Sequence, residues 1–443
     1  MVKLNNLSVN NMTNILIKNG RIIDPKNNLD DVLDVLVRDG KIAKVEKGIT
    51  DNADTTIDAS GLVVTPGLID LQVHMREPGR EDRETIETAS RAAIAGGITS
   101  AVVMPNTSPV ADNQTVIEFI LKRARELDLI NIYPTGSITK KQSGETITEM
   151  NELKASGAVA VTDDGVDVQD EGLLKRAMQY TTTTDMLVMS HCETDSLTDG
   201  GVMHEGWVST QLGLPGTPAS SEDLAVQKNI ILAEETGARL HILHNSTEGA
   251  VRAIRDAKAR GAKNITAEVS VHHFALTDQE CIGYNTNAKM YPPLRSQKHV
   301  DAIIKAIQDD TIDAFTTDHA PHIEPDKLRP FQHAAFGTTG LETSFAVMNT
   351  YLVSRKHIDL TKGVAKMTIN PAKIIGLSNK GHLSVGADAD IAIFDINKKW
   401  IVDPENRQSK GKNCAFNGKE LQGKAVHTIV GGKIKMQYEK IIV

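Results

Sequence analysis

The informative residues of this chain are polar side chains that interrupt apolar runs. Gln72 and His74 end the run GLIDLQVH, Asp163 and Asp164 end VAVTDDG, His191 ends MLVMSH, His244 ends RLHILH, and Asp318 with His322 ends DAFTTDHAPH. Each has a plain explanation on its own. A histidine at a strand end is usually a hydrogen-bonded structural residue, and an aspartate in TDDG is usually a turn or cap residue. Together, His74, His191, His244, Asp164 and Asp318 supply imidazole nitrogen and anionic oxygen, the donors that a borderline divalent ion such as zinc prefers. A carboxylate, having two oxygens, can also bridge two ions.

These residues lie far apart in the chain, so a scaffold must gather them. Eight segments read as strands: GLIDLQVH, ITSAVVMP, INIYPTGSI, VAVTDDG, MLVMSHCE, RLHILHNST, NITAEVSVHHF and DAFTTDHAPH. Between them stand patterns such as NQTVIEFILKRARELD and EGAVRAIRDAKARG, with apolar residues near i, i+3 and i+4, the spacing of a helix that buries one face. Uninterrupted strand–helix alternation predicts an α/β fold, a parallel (β/α)8 barrel over residues 67–380. An open doubly wound sheet is the runner-up, and the absence of GxGxxG after the first strand speaks against it. In a barrel all C-terminal strand ends share one face, which would bring the polar residues together. The Gly- and Pro-containing stretch from Asp195 to Ser220 is expected to lie over that mouth as a lid or contact surface.

The two chain ends have a different texture. ILIKNGRIID and DVLVRDGKIAKV near the start, and ADIAIFDI, AVHTIVGGKI and KMQYEKIIV near the end, are short β-branched runs. Residues 12–66 and 381–443 are therefore expected to pair into one small β-sandwich domain. Asn19-Gly20 and Asp39-Gly40 are the expected hairpin turns, because both residue types tolerate positive φ. Residues 1–11, polar and rich in Asn, read as a disordered extension. The charge balance, 49 basic against 57 acidic residues and a net −8, argues against a nucleic-acid groove or an anionic membrane surface. No apolar run reaches the roughly 18 residues of a membrane span, and no signal-peptide pattern opens the chain. Three scattered cysteines, Cys192, Cys281 and Cys414, make no disulfide framework and favour the reducing cytoplasm.

Several segments resemble those of bacterial type I dihydroorotase, a branch of the amidohydrolase superfamily. They are DLQVHMREPG at 70–79, MPNT at 104–107, VTDDGVDVQ at 161–169, SHCE at 190–193, LHNST at 243–247, AEVSVHH at 267–273, YPPLR at 291–295, TTDHAPH at 316–322, AFGTTGLET at 335–343 and GHLSVGADADIAIFD at 381–395. The resemblance covers the chain from Met12 onward. It implies metal-dependent, reversible hydrolysis of (S)-dihydroorotate to N-carbamoyl-L-aspartate in pyrimidine synthesis. It places His74, Asp164, His191, His244 and Asp318 at metal-ligand positions, with one or two Zn2+ ions, Asp164 at the bridging position and Asp318 as proton shuttle. Arg76, Asn106 and His322 fall at positions that hold substrate, and the backbone near Phe336 and Gly337 lies along it. A homodimer is implied, with aspartate transcarbamoylase as a candidate partner.

Two departures stand out. Gln72 occupies the place of a histidine ligand, and an amide oxygen holds zinc far more weakly than imidazole. Tyr291 stands where an Asn usually contacts substrate. The rival readings are a hydantoinase- or allantoinase-type amidase, which usually carries a carboxylated lysine on the fourth strand, and a non-catalytic partner of aspartate transcarbamoylase. Other residues take plainer roles: His272 and His273 structural or supporting, Cys192 a buried thiol, Lys289 and Arg295 scaffold or rim. Glu77 and Glu193 are candidates for orienting ligands.

Overall fold

The computed structural model describes residues 14–443, so the extension expected at 1–11 lies outside it. Eight parallel strands close into a barrel: Leu68–Val73, Ile98–Val103, Asn131–Pro134, Ala160–Val161, Leu187–Ser190, Arg239–Ile242, Ile265–Ser270 and Ala314–Thr316. Single bridges complete the ring, Gly136 to Val161 between the third and fourth strands and Val73 to His319 between the first and eighth. The open-sheet alternative is thereby excluded. All eight strand segments expected from the sequence are present, separated by helices that bury one face; Glu248–Ala259, for example, buries Ala250, Val251, Ile254 and Ala257.

Both chain ends build one nine-stranded sheet. Its strands lie between Ile15 and Pro66 and between Ile391 and Ile441. Val63–Pro66 joins the halves by pairing antiparallel with Ile391–Phe394. Ile15, Ile17, Val35 and Ile57 from one half share a buried cluster with Leu383, Ile391 and Ile429 from the other, the core of the sandwich domain. Asp39-Gly40 forms the expected hairpin turn, with φ of 50° and 73°. Asn19-Gly20 does not. The strand Ile15–Asp24 runs through it with a register shift, and the Asn19 N–H turns to Asp34 Oδ1 at 2.9 Å. Gly20 is needed there because a Cβ would lie 2.5 Å from Val64 Cγ2, so close packing rather than chain reversal explains the dipeptide. The stretch Asp195–Ser220 contains two short helices and a two-stranded ribbon, and its Thr198, Gly200 and Gly201 reach the barrel mouth. Among the described residues no helix is long and apolar enough to cross a membrane.

Candidate active site

At the C-terminal ends of the strands lies a cavity of about 410 Å³. His74, Asp164, His191, His244 and Asp318 line it, as do Arg76, Asn106, His322, Phe336 and Gly337. Every residue singled out for metal or substrate therefore borders one space. Three of them sit in left-handed backbone, Arg76 at φ 63°, His244 at 30° and Asp318 at 47°. Each costs of order 1–3 kcal/mol and persists only where the surroundings enforce it. For His244 the Glu222 carboxylate does so, accepting the N–H groups of Ser246 and Thr247 at 2.7 and 3.1 Å just beyond it.

The acid–imidazole cluster is built around Asp164. Asp164, His191 and His244 each offer a ligand atom within 4.8 Å of the others. His74 Nε2 lies 3.3 Å from Asp164 Oδ2 and 3.3 Å from Asp318 Oδ1. Outer partners aim the rings. Asn106 Oδ1 pairs with His74 Nδ1 at 2.9 Å, leaving Nε2 for the cluster. Glu193 Oε2 pairs with His191 Nε2 at 3.2 Å, leaving Nδ1 beside His244 Nε2 at 2.8 Å. Burial opposes charge on His191, but Asp164 and Glu193 outweigh it and lift this ring to about 10. Burial likewise opposes charge on Asp164, yet its histidine neighbours hold it well below the usual carboxylate range. A carboxylate and imidazoles so arranged fit a divalent cation, which would take the place of the shared protons.

Gln72, expected from the resemblance to stand in place of a histidine ligand, acts as a hydrogen-bond donor. Its Nε2 donates to Asp164 Oδ1 at 2.9 Å, and its Oε1 is buried without a partner. The amide thus orients the central carboxylate by its donor side. Asp163, adjacent to Asp164, faces away and accepts the N–H groups of Ile138 and Thr139 at 2.8 and 3.1 Å.

The rest of the cavity is cationic and aromatic. No side-chain hydrogen bond compensates Arg76, whose Nε is buried without a partner, and burial followed by repulsion from Arg83 pulls its pKa down to about 10. The His322 ring has both nitrogens unpartnered; burial, reinforced by Arg76, holds it neutral. Tyr291 stacks on His191 at 5.8 Å between centroids and meets Phe336 edge-on at 5.2 Å.

The plainer assignments divide. His273 anchors the Pro292 carbonyl at 3.1 Å and His272 is buried outside the cavity lining. Cys192 is a buried thiol that burial pushes upward. Arg295 is buried scaffold rather than rim, bonded to Ser246, Thr217 and Glu222. Glu77 orients no ligand: it accepts the Ile86 N–H at 2.8 Å, at the start of the helix Ile86–Ala95. Sequence reasoning missed the layer beneath the cluster. Asp70 ties the first strand to Thr316 of the eighth and to Thr317 just beyond it, and Glu268 pairs with His241 at 3.1 Å. The signal was there, since these are polar residues at interior positions of apolar strands.

Lys289 and Lys327 support the loop that carries Phe336 and Gly337. Lys289 Nζ donates to the carbonyls of Phe331 and Gln332 at 2.7 and 3.0 Å, and Lys327 Nζ to those of Lys289, Ala335 and Gly337 at 3.2, 2.8 and 3.0 Å. Burial pushes Lys289 down to about 8, and burial with repulsion from Lys289 pushes Lys327 down to about 7. An unfolded lysine titrates near 10.4, so between about pH 7 and 10 the unfolded chain binds the extra proton and stability rises with pH. The stability of the wild type relative to Lys327→Met, measured by urea unfolding, is expected to improve from pH 7 to pH 9. A gap that shrinks over that range would contradict it.

Known proteins share this chain's sequence and fold over nearly its whole length. The Dihydro-orotase-like family profile matches residues 61–250. The chain is 50% identical over 423 residues to the dihydroorotase of Pelotomaculum thermopropionicum, covering 96% of this chain and 98% of that protein. It is 47% identical over 425 residues to the dihydroorotase of Syntrophus aciditrophicus, covering 96% and 99%. In structure it is similar to an L-hydantoinase from Arthrobacter aurescens, with a TM-score of 0.86 at 25% identity over 98% of each chain. A D-hydantoinase from Thermus sp., at 23% identity, has the same fold, with a TM-score of 0.82 over 97% of this chain and 96% of that one. With full-length relatives at this identity, the chain belongs to the dihydroorotase family.

Proposed function

We propose that the cavity catalyses the reversible opening of (S)-dihydroorotate to N-carbamoyl-L-aspartate. The observation that carries this reading is the Arg76 guanidinium, which no side chain hydrogen-bonds, in the same cavity as the Asp164–His191–His244 cluster. A cyclic amide bearing a carboxylate suits both halves, because a guanidinium grips a carboxylate with two parallel donors. The protein is a metal-dependent cyclic amidohydrolase, and zinc is the ion we assign to it. Asp164, His191 and His244 would hold the ion, with His74 and Asp318 adjacent as ligands to the same or a second one. A bound ion of this class lowers the pKa of water toward about 7 and polarises a carbonyl.

The protein's own groups do the remainder. Arg76 and Asn106 fix the substrate carboxylate, while neutral His322 and the Gly337 backbone border the ring. Asp318 takes a proton from the attacking water and delivers it to the ring nitrogen as the C–N bond breaks. Ring closure uses the same groups in reverse. The retained acids and imidazoles speak for catalysis over a scaffolding role.

Turnover of dihydroorotate against hydantoin, with elemental analysis of the purified protein, tests the reading; preference for hydantoin would overturn it. Gln72→His is expected to raise the metal content per chain. Unchanged stoichiometry would show that the amide already coordinates, or that one ion is the full complement. The homodimer and an association with aspartate transcarbamoylase belong to the same proposal, checked by light scattering with and without that enzyme. The cytoplasm is the proposed compartment, supported by three unpaired, buried cysteines.

A further inference from the structure

The segment joining two strands of the nine-stranded sheet, Ile391–Ile401 and Glu420–Val430, leaves that sheet and reaches the barrel mouth. Where it meets the cavity wall stands Asn413, 3% exposed. Its Oδ1 accepts the backbone N–H of His322 at 2.9 Å. Its Nδ2 donates to the carbonyls of Ala320 and Gly337 at 3.1 and 3.0 Å. Its own carbonyl accepts the Thr339 N–H at 2.8 Å. Exchanging the amide's oxygen and nitrogen would set like groups against one another at all three side-chain contacts, so the hydrogen bonds fix its orientation.

One side chain therefore bonds both stretches that wall the cavity beyond the eighth strand, the one carrying His322 and the one carrying Gly337. The two are in close contact. Gly337 has φ 137°, and a Cβ there would come 2.7 Å from the Ala320 carbonyl oxygen. The segment itself approaches as closely, since a Cβ on Gly411 would lie 2.6 Å from Pro321 Cβ. Asn413 does not line the cavity, so its influence on a ligand passes through the walls it holds.

We infer that Asn413 is a positioning residue, which sets the separation of His322 and the Gly337 peptide to the width of the substrate ring. This presupposes the dihydroorotase reaction proposed above. The small domain then contributes to the site as well as to the scaffold. Misplacing a group that positions substrate by about 1 Å can cost as much as 10²-fold in kcat/KM. Here the loss is expected in substrate capture, because the acid–imidazole cluster makes no hydrogen bond to Asn413.

Steady-state kinetics of Asn413→Ala with dihydroorotate, alongside metal analysis and thermal melting, test this. The expected result is a KM raised by roughly tenfold or more, a kcat within about twofold, and unchanged metal content. Asn417→Ala is the control. Asn417 donates to the Lys412 carbonyl at 2.9 Å within the same segment and makes no hydrogen bond to either wall, so the KM of this variant should not move. If Asn413→Ala does not fold, Asn413→Asp serves, since it keeps the acceptor for His322 and turns an oxygen toward the two carbonyls. An unchanged KM, a kcat that falls together with metal content, or an equal KM rise in Asn417→Ala would overturn the inference. A wild type that does not turn over dihydroorotate would instead remove the proposed reaction.

Discussion

Asp318→Asn is expected to lower kcat for dihydroorotate by about 10²–10⁴-fold, the usual range for losing a positioned general acid–base. Several features make this substitution clean. Asp318 occupies left-handed backbone at φ 47°, a conformation that Asn adopts at least as readily as Asp, so the main chain has no reason to move. The amide oxygen can still face His74, now 3.3 Å from the carboxylate, so part of the metal should be retained. What would disappear is the proposed capacity to accept a proton from water and return it to the ring nitrogen. Turnover assays paired with elemental analysis separate the two functions. A kcat within tenfold of wild type would place the proton transfer on another group.

Arg76→Met is expected to reduce kcat/KM for dihydroorotate by roughly 10²–10³-fold, about 3–4 kcal/mol, as when one partner of a buried charge pair is truncated. The fall should sit mainly in KM. Stability should change little, because burial and repulsion from Arg83 outweigh the attraction of Asp318 and Asp164 and pull the guanidinium pKa down to about 10, and no side chain hydrogen-bonds it. Methionine fills much of the same volume without that penalty. Dihydrouracil, which has the ring but no carboxylate, should be processed equally poorly by both proteins. If Arg76→Met also lost stability and discriminated between the two compounds as the wild type does, Arg76 would be a scaffold residue.

The reach of the sequence here follows from physics. The barrel was legible because each strand is a short apolar run and each helix shows its buried face at helical spacing. The cluster was legible because His74, Asp164, His191, His244 and Asp318 interrupt those runs at the same end, where strand direction alone makes them converge. Pairwise orientation was not legible. That Gln72 turns its donor toward Asp164, that Asn106 aims His74, or that Glu77 joins a helix terminus depends on rotamers settled by neighbours distant in the chain. Asn19-Gly20 misled because its local preference for a turn was outweighed by strand pairing on both sides. Asn413 gave no local signal at all, since the partners of its side chain are backbone groups on loops 76–93 positions away.

The pairing of Val63–Pro66 with Ile391–Phe394 has a consequence for biosynthesis. At ribosomal rates of about 5–20 residues per second, the first of these strands waits tens of seconds for the second. Throughout that interval one edge can pair with Ile15–Asp24, already made, while the backbone groups of the other edge have no strand to meet. An open strand edge is a template for pairing with another chain, so the nascent protein is more exposed to aggregation in that window than the finished one.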